Sequence, residues 1–398
     1  MLHNRHAHLV LGVAAVVFFF GKCSLALPSL TPKTTVAEYL AEVNIPFENH
    51  YVTTVDGYIL NVHRLPNPNA TKTVFLQHGI LASSWCWLIN DPRYAPAVML
   101  YKRGYEVFLG NSRGNIFSTN HTHLRTDSEA FWNFTFDDMA MKDLPAMLNY
   151  TKSTMNSDSG KLTYIAWSQG TTQFFILGST ENNNFLRNTV DRFVALSPVA
   201  YVKSTKSLLL KAVAKFHLGR ILEKEYPYGL FEFGPSLDLI ETFLCKITLG
   251  FVCKIGVDSV CGVADNDSPE QIERLTTHFP AGTSAKDFNH YEQFIDKDPP
   301  FFGRYDYGVD GNLKEYGRKT PPIYNVSAYF QNTGVPIAMF RGSDDILVVE
   351  KDYSLLRRSL SDDLIVFEKV YPQQSHVTWF VGKPDLAWLS DLLKVVDG

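Results

Sequence analysis

Short β-branched or aromatic runs recur along the chain at residues 50–54, 58–64, 73–77, 105–109, 162–166, 192–196, 336–340 and 364–370. The first two flank Asp56-Gly57 and read as a hairpin, because that pair suits the positive backbone angles of a tight turn. Stretches of helical character separate the later runs, at residues 137–150, 169–178, 350–360 and 384–396. Strands alternating with helices predict an α/β fold on a mostly parallel eight-stranded sheet, since a parallel pair needs a crossover long enough to hold a helix.

That rhythm breaks once. Between residues 203 and 320 no buried-strand run occurs, and apolar residues follow helical spacing instead, as at Leu237, Ile240, Phe243, Leu244 and Ile247. The break predicts a mainly helical insertion, a cap and lid over 203–320, between core segments at 27–202 and 321–398. Ordinary packing of a helical subdomain accounts for most of these residues.

The first 26 residues follow neither period. Arg5 and several histidines precede the apolar run 9–20, and Ser24-Leu25-Ala26 supplies a small-x-small cleavage site, so the segment reads as a secretory signal with a mature chain from Leu27. A membrane anchor is the competing reading, but 12 apolar residues fall short of the ~20 that span a bilayer. Six Asn-x-Ser/Thr sequons, at Asn69, Asn120, Asn133, Asn149, Asn266 and Asn325, fit an exported glycoprotein.

Composition bears on partners more than on fold. At 45% hydrophobic and 20% charged, the chain can bury a large core. A net charge of −4 without a basic stripe supplies no electrostatic reason to expect nucleic acid. Cys23 leaves with the signal, while Cys86, Cys245, Cys253 and Cys261 remain and allow three fully paired patterns. The even spacing of the last three favours one local bridge. With no CxxC or HExxH spacing, no metal or other cofactor is expected.

The candidate chemistry centres on Ala166-Trp167-Ser168-Gln169-Gly170, between a strand run and a helical run. A serine there would stand at the exposed tip of a sharp strand-to-helix turn, the nucleophile elbow, which tolerates only small residues two positions to either side. Acyl transfer also needs a base, an acid to orient it and donors for the oxyanion. His376 follows the last strand run and Asp344-Asp345 the one before it, in the chain order serine, acid, histidine. The oxyanion donors would be the backbone amides of Gln169 and of Ile80, in the loop His78-Gly79-Ile80 after an early strand. His78 is a rival base but lies upstream of the serine. The only literal Gly-x-Ser-x-Gly string is elsewhere, at Gly110-Asn111-Ser112-Arg113-Gly114, and turn formers without helical periodicity follow it.

With these residues in view, the chain resembles the acid lipases, the group containing gastric and lysosomal acid lipase. The likeness rests on segments spread over nearly the whole mature chain: the run His50 through Leu60, Leu76-Gln77-His78-Gly79-Ile80-Leu81-Ala82-Ser83, Gly110 through Asn115, Ser168-Gln169-Gly170-Thr171-Thr172, Leu196-Ser197-Pro198-Val199-Ala200 and Phe279-Pro280-Ala281-Gly282-Thr283-Ser284. The resemblance implies an α/β-hydrolase core with a helical cap and lid. It also implies secretion or lysosomal delivery, and hydrolysis of triacylglycerols or cholesteryl esters at a lipid–water interface that the cap touches transiently. Position by position, it places the nucleophile on Ser168, the acid on Asp345 rather than Asp344, the histidine on His376, and the oxyanion donors on Ile80 and Gln169. The cap disulfide falls on Cys245 and Cys253, with Cys261 as a nearby free thiol. The chain departs from the family pattern at Ala166-Trp167, where Gly-His is usual, and at Thr378 and Val349, where aspartates are common. Two rival readings accompany it: a lipid-binding protein that kept the fold and lost activity, and an esterase or acyltransferase on more soluble acyl donors.

Overall fold

In chain order the strands are β1 (Glu48–Thr53), β2 (Tyr58–Leu65), β3 (Thr73–Gln77), β4 (Glu106–Gly110), β5 (Asn120–His121), β6 (Leu162–Trp167), β7 (Val190–Leu196), β8 (Gly229–Leu230), β9 (Thr283–Ser284), β10 (Ile337–Gly342) and β11 (Ile365–Tyr371). They belong to a computed structural model that describes residues 35–156, 160–180, 184–230, 257–328, 333–384 and 387–398. The N-terminal signal segment, the helically spaced positions from Leu237 to Ile247, Cys245 and Cys253 lie outside the described residues.

The main sheet runs β1-β2-β4-β3-β6-β7-β10-β11, with β5 paired to β2. Only β2 opposes its neighbours, and every pairing from β4 to β11 is parallel. All eight expected runs are strands, with ends shifted by one or two residues. β5 is an addition, too short to leave an alternating pattern.

Both sheet faces are covered, which is why β3, β4, β6 and β10 are buried at every residue and carry adjacent apolar residues through their centres. Alternate side chains feed two apolar clusters: Phe75, Phe108, Tyr164, Ala166 and Phe193 on one face, Val74, Leu76, Leu109, Ile165 and Trp167 on the other. The edge strand β11 is instead half-buried or exposed at every residue except Tyr371.

Helices Gln169–Gly178, Glu350–Arg358 and Ala387–Asp397 stand where the spacing predicts them. The stretch 137–150 is less regular. It is a turn of helix at Phe136–Asp138, a π-helical turn at Met139–Asp143, then the helix Leu144–Thr154. Pro145 has no N–H to donate to the preceding turn, and the Asp143 side chain is drawn inward to Arg113.

The described part of 203–320 is mainly helical: Leu208–Lys215, Leu218–Glu225, Pro269–Thr276, Ala285–Asp296 and Gly308–Tyr316. One antiparallel ribbon, β8 with β9, interrupts it, again in strands too short to leave a sequence pattern. Polar contacts knit these helices together. Glu292 accepts the N–H of Gly219, and Glu223 accepts from Asn289 and from the Tyr305 hydroxyl.

Candidate functional site

β6 ends at Trp167 and the helix starting at Gln169 follows at once, so Ser168 alone makes the turn, with φ 52° and ψ −120°. Side chains other than glycine rarely adopt such a backbone, and the fold holds it from both ends. The Ser168 N–H donates to the Leu196 carbonyl at 3.2 Å, and its own carbonyl accepts from Thr171 N–H at 2.8 Å and Thr171 Oγ1 at 2.6 Å. Glycine is required two residues on, since a Cβ at Gly170 would lie 2.7 Å from the Gln77 carbonyl oxygen and 2.9 Å from that of His78. Ala166, two residues before, fits because its methyl points into the apolar cluster on one sheet face.

Ser168 is buried, not exposed at a tip, because the loop after β3 closes over it. A Cβ at Gly79 would sit 2.8 Å from the Cβ of Ser168. Among the described residues no hydrogen bond takes up the backbone N–H of Ile80 or of Gln169, which flank this spot.

His376 and Asp345 arrive from the loops after β11 and β10. His376 Nε2 lies 2.9 Å from Ser168 Oγ, and its Nδ1 lies 2.8 Å from Asp345 Oδ2. The other carboxylate oxygen accepts the N–H groups of Leu347 and Val348, each at 2.9 Å. Burial by itself would push the Asp345 carboxyl up, but the His376 ring and these donors outweigh it and hold the group below its ordinary value. Asp344 faces away and accepts from its neighbour Ser343.

The unusual residues around this line have partners. The Trp167 indole donates to the His376 carbonyl at 2.8 Å and lies against its ring. Thr378 Oγ1 accepts the Ser375 N–H at 2.7 Å and donates to Asp267, which also accepts from Ser375 Oγ at 2.8 Å. Val349 caps the helix Glu350–Arg358 without a side-chain oxygen.

The rivals are accounted for structurally. Burial holds His78 neutral, its pKa pushed down to about 4. Its Nδ1 bonds the Gly79 carbonyl at 2.7 Å while Nε2 accepts the Ser112 N–H at 3.1 Å. It therefore ties the loop over Ser168 to the loop after β4. Ser112 Oγ accepts from the side-chain amides of Gln77 at 2.9 Å and Gln173 at 3.2 Å.

Sequence reasoning missed three residues. Ser197 donates to Asp345 Oδ2 at 2.8 Å, Asp267 anchors both sides of the histidine, and Asp287 accepts from Gln169 Nε2 and Thr283 Oγ1, each at 2.8 Å. Burial pushes the Asp287 carboxyl up to about 6 despite these donors. Asp267 sits inside the Asn266 sequon and Asp287 in an ordinary helix start, so neither carries a local signal.

Asn69, Asn120, Asn133, Asn149 and Asn325 are exposed and Asn266 is half-buried. Cys86 and Cys261 are buried free thiols, and burial pushes the Cys261 thiol well up. Among the described residues, no group of three or more His, Cys, Asp or Glu side chains could hold a metal ion, and no helix is long and apolar enough to cross a membrane.

Comparison with known proteins adds to this geometry. Residues 36–91 match the family model of a partial α/β-hydrolase lipase region, and residues 72–220 match that of the α/β hydrolase fold. Gastric triacylglycerol lipase of Homo sapiens is 34% identical over 395 residues, covering 95% of this chain and 94% of its own. Lipase lipl-1 of Caenorhabditis elegans is 32% identical over 394 residues, covering 94% and 92%. Among solved structures, a thermophilic esterase from Thermogutta terrifontis aligns with a TM-score of 0.50 at 13% identity, over 88% of this chain and 98% of that one, a likeness of fold alone.

Proposed function

We propose, because the chain belongs to the acid lipase family of α/β hydrolases and is a carboxylic ester hydrolase, that it is an exported lipase cleaving neutral lipid esters through an acyl-enzyme on Ser168. One observation carries the mechanism: the unbroken line Ser168 Oγ, His376 Nε2, His376 Nδ1, Asp345 Oδ2, with both links under 3 Å.

His376 takes the Ser168 proton as the oxygen attacks the ester carbonyl, and Asp345 stabilises the imidazolium that forms. The Ile80 and Gln169 amides receive the oxyanion, with the start of the helix behind Ser168 adding its dipole. His376 then returns the proton to the departing alcohol. Water repeats the sequence on the acyl-enzyme, releasing the fatty acid and free Ser168.

The helices of 203–320 act as the cap in this reading. Support comes from Asp287, which lies on that segment, accepts from the Gln169 side chain beside the nucleophile and is itself held by the Thr283 hydroxyl. Triacylglycerols, cholesteryl esters or both are the substrates, met at a lipid–water interface. The signal-like first 26 residues and the exposed sequons support export into the secretory or lysosomal route, with glycans on the asparagines and a Cys245–Cys253 bridge.

A fluorophosphonate probe on the purified mature protein, mapped by peptide mass spectrometry, tests the assignment alongside turnover of emulsified triolein and cholesteryl oleate. The expected result is a single adduct on Ser168 that abolishes turnover. No adduct and no turnover would favour a lipid-binding protein, while faster turnover of dispersed soluble esters would favour an esterase.

A further inference from the structure

We propose that Ser197 is a positioning residue for the proton relay, its hydroxyl steered by Trp379 onto the Asp345 oxygen that faces His376. The inference rests on the Ser168–His376–Asp345 reading and adds a group to it.

Ser197 follows the last residue of β7 and is fully buried. Its N–H donates to the Phe340 carbonyl at 2.9 Å, while the preceding Leu196 carbonyl accepts from Ser168, so it sits between the nucleophile turn and the end of β10. Its φ is +48°, in the left-handed region, and Pro198 comes next, which disfavours that backbone further. Glycine would take the same shape without strain. What serine adds here is its hydroxyl.

That hydroxyl has two partners with distinct roles. It donates to Asp345 Oδ2 at 2.8 Å, the same oxygen that meets His376 Nδ1 at 2.8 Å. It accepts the indole N–H of Trp379 at 3.0 Å. With a lone pair taken by the indole, the hydroxyl proton is left aimed at the carboxylate, since an O–H has only one proton to place. Trp379 belongs to the short helix Thr378–Val381 directly after His376. The element that carries the histidine thus also orients the serine, and the four groups close a ring: His376, Asp345, Ser197, Trp379.

Two effects follow. With Leu347 and Val348 on Oδ1 and with His376 and Ser197 on Oδ2, the carboxylate is held by four donors and cannot rotate away from the imidazole. A second donor on Oδ2 also draws off negative charge, so it tempers the pull of Asp345 on the imidazolium. In accord with this, the Ser197 hydroxyl is among the groups holding the Asp345 carboxyl down.

The test compares Ser197→Ala, Ser197→Gly, Trp379→Phe and Ser197→Ala/Trp379→Phe with the parent, measuring kcat and KM on p-nitrophenyl butyrate across a pH series, with unfolding midpoints alongside. Ser197→Ala and Ser197→Gly are expected to lower kcat roughly tenfold at near-constant KM, the effect of losing one hydrogen bond to a charged group. They should also move the acid limb of kcat/KM to higher pH. Trp379→Phe should lower kcat less, and the double variant should be no worse than Ser197→Ala, because the indole acts only through the hydroxyl. A purely structural role would lower the unfolding midpoint while leaving kcat and the acid limb unchanged, and that result, or full activity in Ser197→Gly, overturns the proposal. Ser168→Ala separates the two levels. If it is inactive while Ser197→Ala matches the parent, only the positioning role fails; if Ser168→Ala retains turnover, the relay itself does.

Discussion

Two serines stand at the ends of strands that flank β3, and their local sequences point the wrong way. Ser112, after β4, sits in the literal Gly-x-Ser-x-Gly string, whereas Ser168, after β6, has alanine in place of the first glycine. Yet Ser112 is locked between two glutamine amides, and Ser168 faces an imidazole. What separates them is what comes next in the chain. A helix begins at Gln169 and forces Ser168 alone to turn the backbone, while turn residues after Arg113 let the loop relax. The residues that follow the two serines differ as well. Arg113 is buried against Asp143 and Asp56, charge against charge; Gln169 is buried against Asp287, a carboxylate with a neutral partner. A reactive position is set by the backbone beneath it and the charges around it, and a matching string guarantees neither.

The sharpest way to break this contrast is to remove each hydroxyl in turn. Ser168→Ala should cut ester hydrolysis by at least about a thousandfold, as for loss of a triad nucleophile. Ser112→Ala should keep near-parental turnover but cost about 1–3 kcal/mol in a urea titration, because two buried amides lose their acceptor. The reverse pattern would assign the chemistry to Ser112.

Next in size is the elbow itself. Gly170→Ala pushes a methyl into the backbone carbonyls of Gln77 and His78, so about 2 kcal/mol or more of stability and about a hundredfold in kcat are expected to go together, read by thermal unfolding and steady-state rates. Unchanged kcat in that variant would mean that the close contact between elbow and β3 loop is dispensable.

Asp287, the carboxylate that partners Gln169, should make stability depend on pH. Asp287 has its pKa raised to about 6, so the folded state binds a proton that the unfolded chain has released. Its contribution to stability is present below about pH 4 and lost as pH rises through about 6, on the order of 2 kcal/mol in all. Asp287→Asn, neutral throughout, should flatten that decline and stabilise the protein at pH 7 relative to the parent. Denaturation midpoints at pH 4 and pH 7 check the sign; an equal parental slope in the variant would show that Asp287 does not titrate there.

The smallest effect concerns the departure at the elbow. Ala166→Gly restores the commoner small residue but removes a methyl from the core and loosens a strand, so turnover should stay within about threefold while stability falls by about 1 kcal/mol. A large gain in kcat would show that the methyl does crowd Ser168.

Much of this site was legible before any coordinates. Eight strand runs, the turn at Ser168, and the pair Asp344-Asp345 and His376 in order on late loops follow from patterns within a few residues of each position, while the choice of Asp345 within the pair came from the family resemblance. The short strands β5, β8 and β9, and the π-helical turn before Leu144, left no such pattern, because two-residue pairings and a local misfit at Pro145 are settled by neighbours far along the chain. Ser168 also proved buried, since its cover comes from the β3 loop, about ninety positions upstream.

The sequence by itself determined which segments could be strands or helices and where a serine could be turned out of a strand, because those depend on side-chain periodicity and local sterics. Tertiary structure put Asp345, not Asp344, against His376, and it alone placed Asp287 behind Gln169 and brought Ser197 and Trp379 to the relay. These pairings span 31 to 182 positions, and only the stacking of parallel strands, which brings the ends of β3, β6, β7 and β10 to one edge, gives them a common location.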